Sequence, residues 1–196
     1  MFDCQAATNA GFFSFKGSCV GNSIVDGKVI AWDNSGNPAF GLLPNNTVVV
    51  GYVQKSEDYP FTSMISGRGW LVRNGKQYVD SSSDLKNPRN NSFVLLKAPR
   101  TAVGLKEDGS VFIAVVDGVE LMKEGLDLYE WSEILVEKGA VQAINLDGGG
   151  STDAILNGKI WNLPNCDDKP LSVCERPVTT ITCLKYPSKG SSFLSY

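Results

Sequence analysis

The chain has 196 residues, of which 42% are hydrophobic and 20% charged, and its 18 basic and 21 acidic side chains give a formal net charge of −3. Charges so mixed recommend neither a nucleic acid nor an anionic membrane as partner, and the length suits one compact domain. The longest apolar runs, such as 111–116 (VFIAVV), fall far short of the ~20 residues that a membrane helix needs, so no membrane segment is expected.

Residues 4–13 (CQAATNAGFF) read as a short strand breaking at Asn9 and Gly11. Asn9 then stands at a strand end, where a turn asparagine is the plainer local reading. Stretches 27–32 (GKVIAW) and 47–53 (TVVVGYV) are β-branched, with turn formers at 34–38 and 44–46, and both are predicted strands. Asn74-Gly75 predicts a hairpin, and the polar stretch 80–92, with Pro88, an exposed loop. The apolar stretch 93–105 carries Arg100, and a guanidinium in a buried strand needs an anionic partner, from the protein or from a ligand.

Two buried strands are predicted at 111–116 and 140–146, ending in Asp117-Gly118 and Asp147-Gly148. Between them Asp127 and Glu130 have capping-box spacing, Leu128, Trp131, Ile134 and Leu135 make an apolar stripe, and Gly139 supplies the stop. A right-handed strand-helix-strand crossover would make the strands parallel and bring Asp117 and Asp147 out at one sheet edge, where ligands prefer to bind. Beyond it come a hairpin through Asn157-Gly158, a polar loop holding Cys166 and Cys174, a strand at 178–184, and a tail at 187–196. The expected class is α+β: a single β-rich domain with a mixed sheet and one main crossover helix at about 127–138, stapled by disulfides.

The cysteines are Cys4, Cys19, Cys166, Cys174 and Cys183, with no C-x-x-C spacing and no histidine in the chain, so disulfides are the better reading than zinc and no metal is expected. Sequons at Asn45 and Asn90 fit an exported, glycosylated chain. The odd cysteine count, with no signal-like pattern before Cys4, suggests that one partner lies in a segment upstream of this chain.

The stretch 143–152 (AINLDGGGST) concentrates the chemistry: an apolar strand ends in a carboxylate, three glycines and two hydroxyls. Without a lysine after its glycines it is no P-loop, and without G-x-S-x-G or any histidine it is no serine-triad elbow. Acid and base work then falls to tuned carboxylates, with Asp147, Asp117, Asp153 and Glu175 as candidates, and a carboxylate pair suggests glycosyl transfer.

Five segments in order, NAGFF (9–13), GWLVRNG (69–75), PRTAVG (99–104), AINLDGGGST (143–152) and RPVTT (176–180), closely resemble the phosphodiester glycosidase domain family, to which the mannose 6-phosphate uncovering enzyme belongs. The resemblance covers nearly the whole chain and implies that residues 1–196 form a catalytic domain lacking an N-terminal segment. It implies removal of α-linked N-acetylglucosamine from a GlcNAc-1-phosphodiester, without cofactor, exposing mannose 6-phosphate or a related sugar phosphate in the secretory pathway lumen or outside the cell. The implied catalytic residues are Asp147, Asn9 and Asp117, with Arg100 and Arg176 gripping the phosphodiester and Gly149, Gly150, Ser151 and Thr152 walling the pocket. It also implies the pairs Cys4-Cys183 and Cys166-Cys174, with Cys19 bonded to a cysteine outside this chain. The partner would be a phosphoglycan, carried on glycoproteins or free, and the oligomeric state, a homo-oligomer included, is left open. The alternatives are a phosphoglycan-binding lectin without turnover and, less supported, a calcium-binding wall protein.

Overall fold

The computed structural model describes residues 4–14, 16–54 and 61–185, so the expected tail at 187–196 lies outside them. In chain order the strands are β1 (Ala6–Asn9), β2 (Ser23–Val25), β3 (Lys28–Ala31), β4 (Pro38–Leu42), β5 (Val48–Tyr52), β6 (Ser63–Ser66), β7 (Trp70–Arg73), β8 (Lys76–Gln77), β9 (Arg100–Lys106), β10 (Val111–Val116), β11 (Ala140–Asn145), β12 (Ala154–Leu156), β13 (Lys159–Ile160) and β14 (Ile181–Leu184). The α-helices are α1 (Ser92–Leu95) and α2 (Leu128–Glu137). Helix α2 forms where the capping-box spacing placed it: the Asp127 carboxylate accepts from Tyr129 and Glu130 N–H at 2.9 and 3.0 Å, and Glu130 accepts from Asp127 N–H at 3.1 Å.

The strands form three sheets, ordered β13-β12-β1-β14, β10-β9-β11-β7-β8 and β3-β2-β6-β4-β5. The central sheet is the second. On one face α2 packs Leu128, Trp131 and Leu135 against Leu71, Ala102 and Ala143. On the other, Val103, Ile144 and Leu146 meet Phe40, Val50 and Ile65 of the third sheet. Ala102 and Val103, like Ala143 and Ile144, are successive residues serving opposite faces, as strand alternation requires.

The α+β expectation with a mixed sheet is thereby corrected. All pairs among these strands are antiparallel, and the domain is a helix-covered stack of β-sheets. The strands at 111–116 and 140–145 run in the same direction but do not pair, because β9 lies between them and is antiparallel to both. An Asp108-Gly109 turn closes β9 onto β10, a hairpin signal that competes with the crossover pairing and wins. The unbroken apolar character of β11 reflects cover on both faces, by helix and by sheet, rather than parallel pairing. The stretch 80–92 also differs from the expected loop, since it contains short 3-10 turns at Val79–Ser81 and Pro88–Asn90 and leads into α1.

Candidate active site

Antiparallel order carries the start of β9 to the edge where β10 and β11 end. Arg100 pairs with Val116 in register, and Leu146 N–H donates to Thr101 O at 2.9 Å. The turn after β11 is fastened there: Gly149 N–H donates to Pro99 O at 2.9 Å, and Asp147 N–H donates to Ala10 O, beyond the end of β1, at 2.9 Å. Asn9 is buried and completes the join. Its Nδ2 donates to Asp147 O at 2.6 Å, while its Oδ1 accepts from Thr101 Oγ1 at 2.8 Å, Thr8 Oγ1 at 3.0 Å and Asp153 N–H at 3.4 Å. Its polar groups thus hold the Asp147 backbone to two sheets.

The Asp147 carboxyl sits largely out of water. Burial pushes its pKa up to about 6, against the opposing pull of the Ser151 hydroxyl, the Gly148 N–H and the positive charge of Arg176. Glu120, in a 3-10 turn at Glu120–Met122 after β10, adds a further push upward by its own charge. Gly149, at φ 55°, lets the turn pass under Glu120, since a Cβ there would collide with Glu120 Oε2. Gly150 admits Arg176 in the same way, because a Cβ would occupy the place of the guanidinium. Ser151 and Thr152 are buried beside them, and Thr152 Oγ1 has no hydrogen-bond partner.

Arg176 is held by Asp168, with Nη2 at 3.0 Å from Oδ2, and by Cys166 O, which accepts from Nε at 2.8 Å and also from Nη2. The Cys166–Cys174 disulfide, with Cα atoms 5.1 Å apart, closes the loop that carries these groups. Arg100 is 4% exposed, and its Nε donates to Leu126 O at 3.0 Å while its Nη2 donates to Phe93 O at 3.2 Å and to Leu96 O. Burial lowers its pKa to about 10, and the charges of Glu120 and Asp127 act the other way. It is a fixed positive charge behind the site, anchored by backbone carbonyls.

The edge divides its residues. Asp147, Arg100, Arg176 and the Gly149–Thr152 turn come together, with Asn9 behind Asp147. Asp117 emerges at the same edge but is exposed, and its carboxylate is engaged elsewhere. Its Oδ1 accepts from Asn162 Nδ2 at 2.9 Å and its Oδ2 from Leu163 N–H at 3.1 Å. Asn162 also donates to Thr152 O at 3.0 Å, so Asp117 braces the far side of the glycine turn. Burial and then Glu175 push Asp153 up to about 6. Neither Glu120 nor Asp168 stands out in the sequence as a site residue. Their signals are weak: an acid three residues after Asp117, and an acid two residues after a cysteine.

Outside this edge, Cys4 is bonded to Cys183 with Cα atoms 5.4 Å apart, and Cys19 is unpaired among the described residues. Cys166, Asp167 and Cys174 lie close enough together to suggest a metal, but both sulfurs are spent in the disulfide. Asn45 and Asn90 are both exposed. No helix among the described residues is long and apolar enough to cross a membrane.

The sequence profile of the phosphodiester glycosidases matches residues 2–185. The chain belongs to the phosphodiester glycosidase family. It is 36% identical over 200 residues to the mouse N-acetylglucosamine-1-phosphodiester alpha-N-acetylglucosaminidase, covering 94% of this chain and 38% of that protein. The human enzyme of the same name is 34% identical over 201 residues, with the same coverage of each. The solved catalytic domain of the zebrafish enzyme, described as auto-inhibited by its pro-peptide, superposes with a TM-score of 0.80 at 33% identity, covering 94% of this chain and 64% of that one. A hypothetical protein from Synechocystis shares the fold, with a TM-score of 0.66 over 81% of this chain and 48% of its own at 15% identity. This phosphodiester glycosidase domain therefore spans well under half the length of the curated mammalian relatives.

Proposed function

We propose that this domain hydrolyses the bond between α-linked N-acetylglucosamine and phosphate in a GlcNAc-1-phosphodiester. The observation that carries the reading is the Asp147 carboxyl, buried at a glycine turn beside a second acid and faced by Arg176. The names of its relatives, at about a third identity over nearly the whole chain, supply the sugar and the phosphodiester. Hydrolysis at C1 of a sugar needs a carboxylate on the anomeric carbon, as nucleophile or as base for water, and stabilisation of the leaving group. Asp147 takes the first role. A leaving phosphate is already a weak base, so positive charge does much of the remaining work: Arg176 meets it directly, and Arg100 adds a fixed charge from behind. Asn9 keeps Asp147 in place, and Asp117 braces the turn through Asn162.

The natural substrate in this reading is a phosphoglycan, on a glycoprotein or free, and the product is mannose 6-phosphate or a related sugar phosphate. Two disulfides and exposed sequons suit the lumen of the secretory pathway or the extracellular space, with sugar chains on Asn45 and Asn90 and Cys19 paired to a cysteine outside this chain. The test is to incubate the protein with UDP-GlcNAc and with a GlcNAc-phosphomannoside and to measure free N-acetylglucosamine. Stoichiometric release of sugar with UDP from the first substrate, and with the mannose phosphomonoester from the second, is expected. Saturable binding of the phosphomannoside without release would replace the enzyme with a lectin.

A further inference from the structure

Three carboxyl groups and two guanidinium groups converge around Gly149, and the glycosidase reading uses only some of them. Glu120 approaches the turn from the 3-10 segment after β10, so close that its Oε2 fills the space a Cβ of Gly149 would need. Asp168 approaches from the disulfide loop. Its Oδ2 is spent on Arg176, but its Oδ1 is buried without a hydrogen-bond partner and lies 3.7 Å from the same Cβ position. Among the described residues, no hydrogen bond is made by the Glu120 carboxyl. Two acids thus face one small space, one with an unused buried acceptor and the other uncommitted. The charge of Asp168 across that space favours the protonated form of the Glu120 carboxyl.

On the glycosidase reading above, on which this inference rests, we propose that Glu120 is the proton donor to the phosphate oxygen that leaves, with Asp168 as its positioning partner. The charged groups facing Glu120 are Asp168 from the disulfide loop, Arg176 just after it, Arg100 from the start of β9 and Asp147 just past the end of β11. Burial and Asp168 push the Glu120 carboxyl above its ordinary value, while the two arginines oppose them. When the C1–O bond breaks, its electron pair stays on the phosphate oxygen, which takes the Glu120 proton. If Asp147 has bonded to C1, the Glu120 carboxylate then takes a proton from the water that attacks C1, and the breaking C1–O bond returns its electron pair to the Asp147 carboxylate. If water attacks C1 directly, its proton goes to Asp147, which loses it to solvent while Glu120 regains one. Either way, one water is consumed and both acids return to their starting state.

The test follows kcat against pH for release of N-acetylglucosamine from UDP-GlcNAc by the full chain. A donor acid must be protonated, so the wild-type rate falls on the alkaline side as Glu120 ionises. Glu120→Gln should lower kcat by about 100-fold or more and remove that alkaline limb. Asp168→Asn removes the facing charge, so the alkaline limb should move to lower pH, while the acid-side fall set by protonation of Asp147 stays where it is in wild type. The exposed neighbour Asp167, changed to Asn, should leave the limb where it is. The inference is overturned if Glu120→Gln keeps kcat within about tenfold of wild type and retains the limb, or if Asp168→Asn does not move it downward. A wild-type protein that releases no sugar at all would sink the glycosidase reading and this inference with it. Release by wild type that is insensitive to Glu120 would sink this inference alone.

Discussion

Asp147 carries a charge that its surroundings disfavour, since burial moves its titration from 3.8 to about 6. That difference corresponds to roughly 3 kcal/mol against the ionised form in the folded chain. The folded protein therefore holds this proton at pH values where the unfolded chain has released it. The resulting stabilisation is complete below about pH 3.8 and is lost as pH rises through about 6. Asp147→Asn should accordingly be more stable than wild type at pH 7.5 by about 1–3 kcal/mol, and the gain should shrink towards pH 4; denaturant melts at the two pH values measure it. A uniform loss of stability at both would mean that Asp147 is structural. Arg176→Ala should lower kcat/KM on a GlcNAc-phosphodiester by about 10- to 100-fold through loss of charge-assisted hydrogen bonds, and Arg176→Lys should recover only part of it. Equal kinetics for Arg176→Ala and wild type would remove Arg176 from the site. At this scale Asp147 stood out in the chain because a carboxylate closes an apolar strand just before three glycines, whereas Arg176 entered only through the family resemblance of its segment. Glu120 and Asp168 did not stand out, because neither is near Gly149 in sequence and only the sheet edge and the disulfide loop bring them there.

The glycine turn is the element on which the site depends. Gly150 gives up its side-chain space to the Arg176 guanidinium, so Gly150→Ala should displace the arginine. Its kinetic signature should match that of Arg176→Ala, and the two changes combined should cost little more than either alone. Fully additive losses would show that the glycine and the arginine act separately. Elements with local signals were legible: the capped helix α2, and the hairpins whose turns are Asn74-Gly75 and Asn157-Gly158, all four at positive φ. The strand β4 was not, since Pro38 opens it and a proline after a turn reads as more turn, although the first residue of a strand is one place where it fits. The pairing of β9 was missed for a different reason. Asp108-Gly109 is itself a hairpin signal, but the helix between β10 and β11 suggested a crossover between neighbours and drew attention away from it.

Across the whole molecule the site lies where two sheets meet, so its geometry depends on their staying joined. Asp147 and Asn9 link the end of β11 to the end of β1, and β1 is held in turn by β14. The Cys4–Cys183 disulfide closes that arrangement across a sequence separation of 179 residues. Replacing both cysteines with serine should cost about 2–5 kcal/mol, measured by denaturant unfolding, with turnover lost earlier in the titration than the signal of the α2-covered core. Coincident loss of both would show that the sheets fail as one unit. The general architecture, β-rich and stapled, could be expected from the chain. The stacking of three antiparallel sheets could not, because sheet order is set by long-range pairings that leave little trace in local periodicity.

In the proposed hydrolysis of a phosphodiester glycoside at this sheet edge, Asp147 acts at the anomeric carbon. The most direct test of that role is the single-turnover rate of N-acetylglucosamine release from a GlcNAc-phosphomannoside, with wild type or Asp147→Asn in saturating excess over the substrate. Readily measured release by wild type, lowered by about a thousandfold or more in the variant while substrate binding persists, is the predicted result. Release by Asp147→Asn at a rate close to wild type would contradict it.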